Sequence, residues 1–166
     1  MISQQALAHL GLDEVWWLVS PQNPLKSTKG MATEADRLAE AQKVAAHPRI
    51  RVTNVESILG TQYTVDTLKA LRRNCPQTHF VWLMGADNMI QLPKWRQWEE
   101  IVETLPIAIF GRPDYSTKAM TSMAAKRYGQ FRLKSDAAHE LVLCPPPAWT
   151  FIHYRQDPIS ATLMRA

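Results

Sequence analysis

Short apolar runs recur along this chain, and between them lie longer stretches with helical spacing. Val15-Trp16-Trp17-Leu18-Val19 is apolar at every position, as are Val81-Trp82-Leu83-Met84 and Ile107-Ala108-Ile109-Phe110. A strand with apolar residues on both faces is covered on both, which is the pattern of a parallel sheet clad in helices. The intervening stretches supply those helices. Ile2, Ala6, Leu7 and Leu10 share one helical face, with Gly11 as a stop. Thr33-Glu34-Ala35-Asp36 has the form of a capping box for a helix reaching about Ala46. Thr64 is expected to cap a helix running to about Arg73, with Val65, Leu68 and Leu71 inward. Trp98, Ile101, Val102 and Leu105 form another stripe, and Thr121 to Tyr128 reads as helical. Arg49 to Val55 alternates as a short strand, and Ser57 to Gln62 reads as a turn. Leu141 to Cys144 and Thr150 to Tyr154 read as strands around Pro145-Pro146-Pro147. This order implies an α/β fold, a doubly wound parallel sheet with helices on both faces, in one domain spanning residues 1–166.

Composition narrows the function classes. The chain is 46% apolar and 20% charged, ordinary for a globular protein. No run approaches the ~18 consecutive apolar residues of a membrane span, and the opening helix, with Ser3, Gln4, Gln5 and His9, is no secretory leader. Cys75 and Cys144 stand alone, outside any Cys-x-x-Cys or histidine cluster, so we expect no protein-held metal and a reducing, cytoplasmic setting. The net charge of +4 suits an anionic ligand such as a nucleotide. The densest basic group, Lys126, Arg127, Arg132 and Lys134, comes with no recognition helix or stacking platform, and we do not expect nucleic acid as a partner.

The candidate site lies where an apolar run stops at Gly85. In an open α/β sheet, ligands bind at the carboxyl ends of the strands. Gly85 lets a ligand approach the backbone, Asp87 accepts hydrogen bonds from sugar hydroxyls, and Trp95 offers a flat apolar face. Lys26 lies in the proline-stiffened loop after the first strand, Arg37 early in the next helix, and Arg112 directly after a strand. The segment Asp157-Pro158-Ile159-Ser160-Ala161-Thr162-Leu163-Met164-Arg165 turns from loop into helix, an anion site by dipole and charge together. Each feature alone is as readily structural as functional; their order carries the signal.

Together these segments resemble the nicotinate-nucleotide adenylyltransferases, bacterial members of the nucleotidyltransferase superfamily with a Rossmann-like fold. The resemblance rests on Leu12-Asp13-Glu14-Val15-Trp16-Trp17 with Pro21-Gln22-Asn23-Pro24-Leu25-Lys26, and on Tyr63-Thr64-Val65-Asp66-Thr67-Leu68. It rests equally on Gly85-Ala86-Asp87-Asn88 with Pro93-Lys94-Trp95, on Arg112-Pro113, and on Ile159-Ser160-Ala161-Thr162-Leu163-Met164-Arg165. It implies transfer of the AMP part of ATP to nicotinate mononucleotide, with release of pyrophosphate, in NAD biosynthesis. It also implies that Thr64 and the amides near Trp95 and Arg96 hold the nicotinate carboxylate, with Trp95 stacked on the pyridine. Asn23 and Lys26 would flank the mononucleotide. Gly85 and Asp87 would hold the adenosine ribose, while Arg112, Ser160, Thr162 and Arg165 serve the ATP side, with Mg2+ accompanying ATP. Met164 stands where the family motif has isoleucine.

One departure bears on activity. Family members open with a strand and a Gly-Gly-[Ser/Thr]-Phe-[Asp/Asn]-Pro-x-His-x-Gly-His turn, and residue 1 falls just after where that turn would be. His9 has no such context. We therefore expect an N-terminal truncation, little turnover from the 166 residues as written, and open ladder positions on the strands that would flank the first one. The alternatives are a pantetheine-phosphate-type adenylyltransferase and a non-catalytic nucleotide-binding relative.

Overall fold

The structure, a computed structural model, describes residues 2–21, 32–112 and 114–153. Helix α1 (Ile2–Leu10) leads through Gly11, at φ 64°, to strand β1 (Val15–Leu18). Helix α2 (Glu34–Val44) follows, and strand β2 (Ile50–Thr53) pairs in parallel with β1. Two helices, α3 (Val55–Leu59) and α4 (Thr64–Asn74), cross back to strand β3 (Trp82–Gly85). Helix α5 (Ala86–Gln91) starts directly at that strand's end, and a 3-10 turn at Leu92–Lys94 leads on to α6 (Trp98–Thr104). Strand β4 (Ile107–Phe110) is followed by α7 (Ser116–Met120) and α8 (Met123–Arg127). A two-residue strand β5 (Arg132–Leu133), a 3-10 stretch at Ser135–Leu143 and strand β6 (Trp149–Ile152) complete the described elements.

All strand pairs formed by these residues are parallel, in two sheets ordered β1-β2 and β3-β4-β6-β5. Side-chain alternation on β4 builds two cores. Ile107 and Ile109 join Val65, Leu68, Met84, Ile101 and Phe151 on one face. Ala108 and Phe110 join Leu7, Leu10, Leu141 and Ile152 on the other. Helices thus cover both faces, the doubly wound arrangement that the sequence implies.

Several local expectations are corrected. Leu141–Cys144 is not a strand: it ends a 3-10 stretch in which Ala138 and Leu141, three residues apart, face the core while Leu143 is 76% exposed. Apolar content there reflects a helical stripe, not a two-sided strand. The helix expected over Thr121–Tyr128 begins only at Met123. Ser122 Oγ accepts from the Ala125 amide at 3.3 Å and separates α7 from α8. The Ser57–Gln62 turn includes the end of α3, which is closed by Gly60 at φ 65°. The fully apolar β1 is less enclosed than expected: only Val15 is buried, because one edge of the strand has no neighbour among the described residues. The other strand-end positions agree with the sequence reading to within a few residues.

Candidate active site

In a parallel sheet, each crossover helix begins near the carboxyl end of the strand before it. The starts of α4 and α5, and the residues after β4 and β6, therefore gather at one end of the fold. Among the described candidates, Thr64, Gly85, Asp87 and Arg112 lie there.

The tightest part of the site is built around Gly85. Its backbone is extended, at φ −78°, so no left-handed conformation explains the glycine. Space does. A Cβ at this position would lie 2.5 Å from Asp87 Oδ1 and 2.9 Å from Arg112 Nε. The turn from β3 into α5 brings Asp87 back over the strand end, and β4, paired in register with β3, places Arg112 opposite. Arg112 Nε and Asp87 Oδ1 are 3.4 Å apart, an ion pair longer than a charge-assisted hydrogen bond. Asp87 Oδ1 is consequently buried without a hydrogen bond. A buried acceptor of this kind carries a desolvation cost until a donor reaches it. Arg112 is itself anchored through its carbonyl, which accepts from Ser116 Oγ at 3.0 Å and from the Tyr115 amide at 3.2 Å.

A second group forms between α4 and the turn before α6. Thr64 does not cap α4. Tyr63 holds the capping position, and its carbonyl accepts from the amides of Asp66 at 3.0 Å and Thr67 at 3.1 Å, so Thr64 is the first helical residue. Its amide and that of Val65 open the helix, where no earlier turn offers them a carbonyl. The Arg96 guanidinium lies 4.5 Å from the centre of the Tyr63 ring, joining the Trp95-Arg96 turn to the helix start. The Trp95 amide, expected as a ligand donor, instead donates to the Leu92 carbonyl at 2.9 Å. That bond fixes the turn, and the half-buried Trp95 side chain packs against the core. Gln97 adopts φ 47°, an uncommon conformation for a side-chain-bearing residue. Its Nε2 donates to Glu100 Oε1 at 2.6 Å, and Glu100 also pairs with Lys69 on α4. The Lys69 hydrogen bond, followed by that from Gln97, holds the Glu100 carboxyl below its ordinary range. Trp98 packs edge-on to Tyr128, with ring centres 5.8 Å apart, and belongs to the core as expected.

Two residues at this end were not singled out strongly by the sequence. Arg37 donates to the carbonyls of Ser20 at 2.6 Å and Pro21 at 2.9 Å, just beyond β1. Its reach towards the ligand end was legible from its place in an early helical turn, but its engagement with backbone was not. His153 follows β6, its ring 4.7 Å from that of Phe151, beside the Gly111 amide that donates to the Ile152 carbonyl. Asn23, Lys26, Ser160, Thr162 and Arg165 lie outside the described residues. Among the described residues, no three His, Cys, Asp or Glu side chains come together as a metal site, and no helix is long and apolar enough to cross a membrane.

A glycine-floored strand end carrying a carboxylate with one buried oxygen and a cation, on a doubly wound parallel sheet, is that of a nucleotidyltransferase-type Rossmann-like protein. The chain matches the cytidylyltransferase-like family over residues 1–166. It is 51% identical over 164 residues to the probable nicotinate-nucleotide adenylyltransferase of Parvibaculum lavamentivorans, spanning 99% of this chain and 82% of the relative. To the protein of the same name from Rhizobium johnstonii it is 43% identical over 165 residues, or 99% of this chain and 83% of that one. The fold is similar to that of Plasmodium falciparum nicotinic acid mononucleotide adenylyltransferase complexed with NaAD. The TM-score there is 0.69 at 16% identity, covering 99% of this chain and 74% of the other. The chain belongs to the nicotinate-nucleotide adenylyltransferase family.

Proposed function

We propose that this chain is built to bind ATP and nicotinate mononucleotide for adenylyl transfer, giving nicotinate adenine dinucleotide and pyrophosphate. The observation that carries this reading is the buried, unsatisfied Asp87 Oδ1 over Gly85 at the end of β3. A ribose hydroxyl is a donor of the right size, and the missing Cβ leaves room for it. Arg112 beside Asp87 attracts the phosphates of the same nucleotide. On the other side, the opening amides of α4 at Thr64 suit a carboxylate, and the Trp95 face suits an electron-poor pyridine. Arg96, stacked on Tyr63, adds positive charge to that carboxylate site.

In the reaction, a phosphate oxygen of the mononucleotide attacks the α-phosphorus of ATP in line. The bond from that phosphorus to the bridging oxygen breaks, and pyrophosphate leaves with the electron pair. No protein group is required to form a covalent bond. The protein's part is to hold both nucleotides in line and to place donors where charge develops. Asn23, Lys26, Ser160, Thr162 and Arg165 are proposed to share in this on the strength of their motifs. Magnesium is proposed to arrive with ATP. Asp87 is the one carboxylate of the Gly85 cluster, which suits an ion held chiefly by substrate phosphates and water. When bound, it supplies charge neutralisation for the leaving pyrophosphate.

Calorimetric titration tests the proposal. Nicotinate mononucleotide and magnesium-ATP should each bind with one-to-one stoichiometry, and phosphopantetheine should not. Binding of phosphopantetheine with no response to the pyridine mononucleotide would replace this reading with the pantetheine-phosphate one.

A further inference from the structure

A run of contacts joins α4 to α6 and advances along both. The Arg96 guanidinium lies over the Tyr63 ring, Lys69 pairs with Glu100, and Arg72 Nη1 donates to the Thr104 carbonyl at 3.2 Å. Partners ascend together in sequence, so the two helices run in the same direction and their starts lie side by side. The start of α4 forms one wall of the proposed carboxylate site. The Trp95-Arg96 turn, just ahead of α6, forms the other.

Glu100 is where the link between these walls is concentrated. Its Oε1 accepts from Gln97 Nε2 at 2.6 Å, and its Oε2 accepts from Lys69 Nζ. One carboxylate thereby ties α4 to the residue that directly follows Arg96. Gln97 holds φ 47° and ψ 45°, a left-handed conformation that a side chain makes unfavourable. A backbone in that state persists only where its surroundings hold it, and the bond to Glu100 does so. Lys69 and Glu100 are half-exposed, so their pair adds little to global stability. Its consequence is positional.

We propose that Glu100, with Lys69 and Gln97, is a clasp that positions the Trp95-Arg96 turn against the start of α4 and so sets affinity for the mononucleotide. Glu100 is a positioning residue and touches no ligand; its role rests on the reading of this end as the nicotinate mononucleotide side. Charge makes the idea testable. Nicotinate mononucleotide is an anion, so deleting the negative charge of Glu100 would by field alone strengthen its binding. Losing the clasp weakens it. The two effects have opposite signs.

The test compares the parent chain and its variants by calorimetry with nicotinate mononucleotide and with magnesium-ATP, and by amide hydrogen exchange without ligand. Glu100→Ala should weaken the mononucleotide about fivefold or more and leave ATP unchanged. It should also speed exchange at the Trp95 amide, which is bonded to the Leu92 carbonyl. Gln97→Asn tolerates the left-handed backbone but is one carbon short of Glu100. It should weaken the mononucleotide similarly at a parent-like melting temperature, a separation that a merely structural role would not give. Lys69→Glu combined with Glu100→Lys restores the pair at the parent's net charge, and the Gln97 amide can offer its oxygen instead. That double variant should recover most of the affinity lost in Lys69→Glu alone. Parent-like exchange at Trp95 in Glu100→Ala overturns the clasp, as does mononucleotide affinity that is unchanged or raised in that variant. A double variant no better than Lys69→Glu also overturns it. If the parent itself bound no mononucleotide, the reading of the site would fail, and the exchange rates alone would decide whether Glu100 holds the turn.

Discussion

Arg112 Nε stands 3.4 Å from Asp87 Oδ1, close enough to pair yet too far to satisfy the oxygen, and a Cβ at Gly85 would intrude on both. The cation lowers the cost of holding a carboxylate at the strand end, and the gap between them leaves the oxygen able to accept from a ligand. Gly85→Ala should therefore displace both side chains and weaken ATP binding. Asp87→Ala should lose the proposed sugar contacts directly, with a deficit of about 1–3 kcal/mol, or roughly five- to 150-fold in Kd. Calorimetry with ATP checks both variants. An Asp87→Ala chain that binds ATP as tightly as the parent would remove the carboxylate from the site.

Trp95 and Trp98 should separate by their effect on ligand binding. Trp98 packs on Tyr128 against the core, so Trp98→Ala should lower stability by about 2–4 kcal/mol. Trp95, also half-buried against that core, sits in the turn tied to Tyr63 by Arg96, with its amide already bonded to Leu92. Trp95→Ala should also cost some stability, but its distinguishing effect should be about tenfold or greater weakening of nicotinate mononucleotide binding with ATP binding unchanged. Urea unfolding and paired titrations measure the two effects. If Trp95→Ala weakened both ligands equally, the indole would not be specific to the pyridine side.

What the sequence made legible follows from which forces act locally. Uniformly apolar runs such as Ile107–Phe110 announce two covered faces, and Thr33 with Asp36 announces a helix start. Both are properties of a few consecutive residues. Gly85 and Asp87 were visible because a strand end is where an α/β sheet presents ligands. Less legible were features set across the chain. Arg112 facing Asp87 depends on the register of β3 with β4, and Arg37 meeting Ser20 and Pro21 depends on how α2 lies on β1. The helical stripe of Ala138 and Leu141 resembled a strand because four apolar residues in a row carry no clear period. Capping by Tyr63 rather than Thr64 was hidden because a backbone carbonyl, not a hydroxyl, anchors the first turn.

Arg37 offers a test of how the end of β1 is held. Its guanidinium bonds two successive carbonyls, at 2.6 and 2.9 Å, and both contacts are partly buried. Arg37→Met keeps much of the aliphatic stem but leaves both acceptors unmatched. The expected loss is about 1–2 kcal/mol in urea unfolding. Arg37→Lys should recover only part of it, because an ammonium does not reproduce the planar fork. Parent-like stability of Arg37→Met would mean that these contacts do not persist in solution.

Tyr128 links the core to alkaline stability. Burial is the main cause that raises its phenol above the ordinary tyrosine value, and its hydrogen bond to Glu103 Oε1, at 3.1 Å, acts in the same direction. The folded state thus keeps the phenolic proton at a pH where the unfolded chain releases it. Between the unfolded value of 10.0 and the higher folded one, the unfolded state binds fewer protons, so stability falls as pH rises. Below that window the contribution is complete. Tyr128→Phe removes the ionisable group and the bond to Glu103, which should lower stability at neutral pH by about 0.5–1.5 kcal/mol. It should also flatten the decline above pH ~10. Melting temperatures of both chains from pH 7 to 11 give the comparison, and parallel alkaline slopes would show that Tyr128 does not titrate with unfolding.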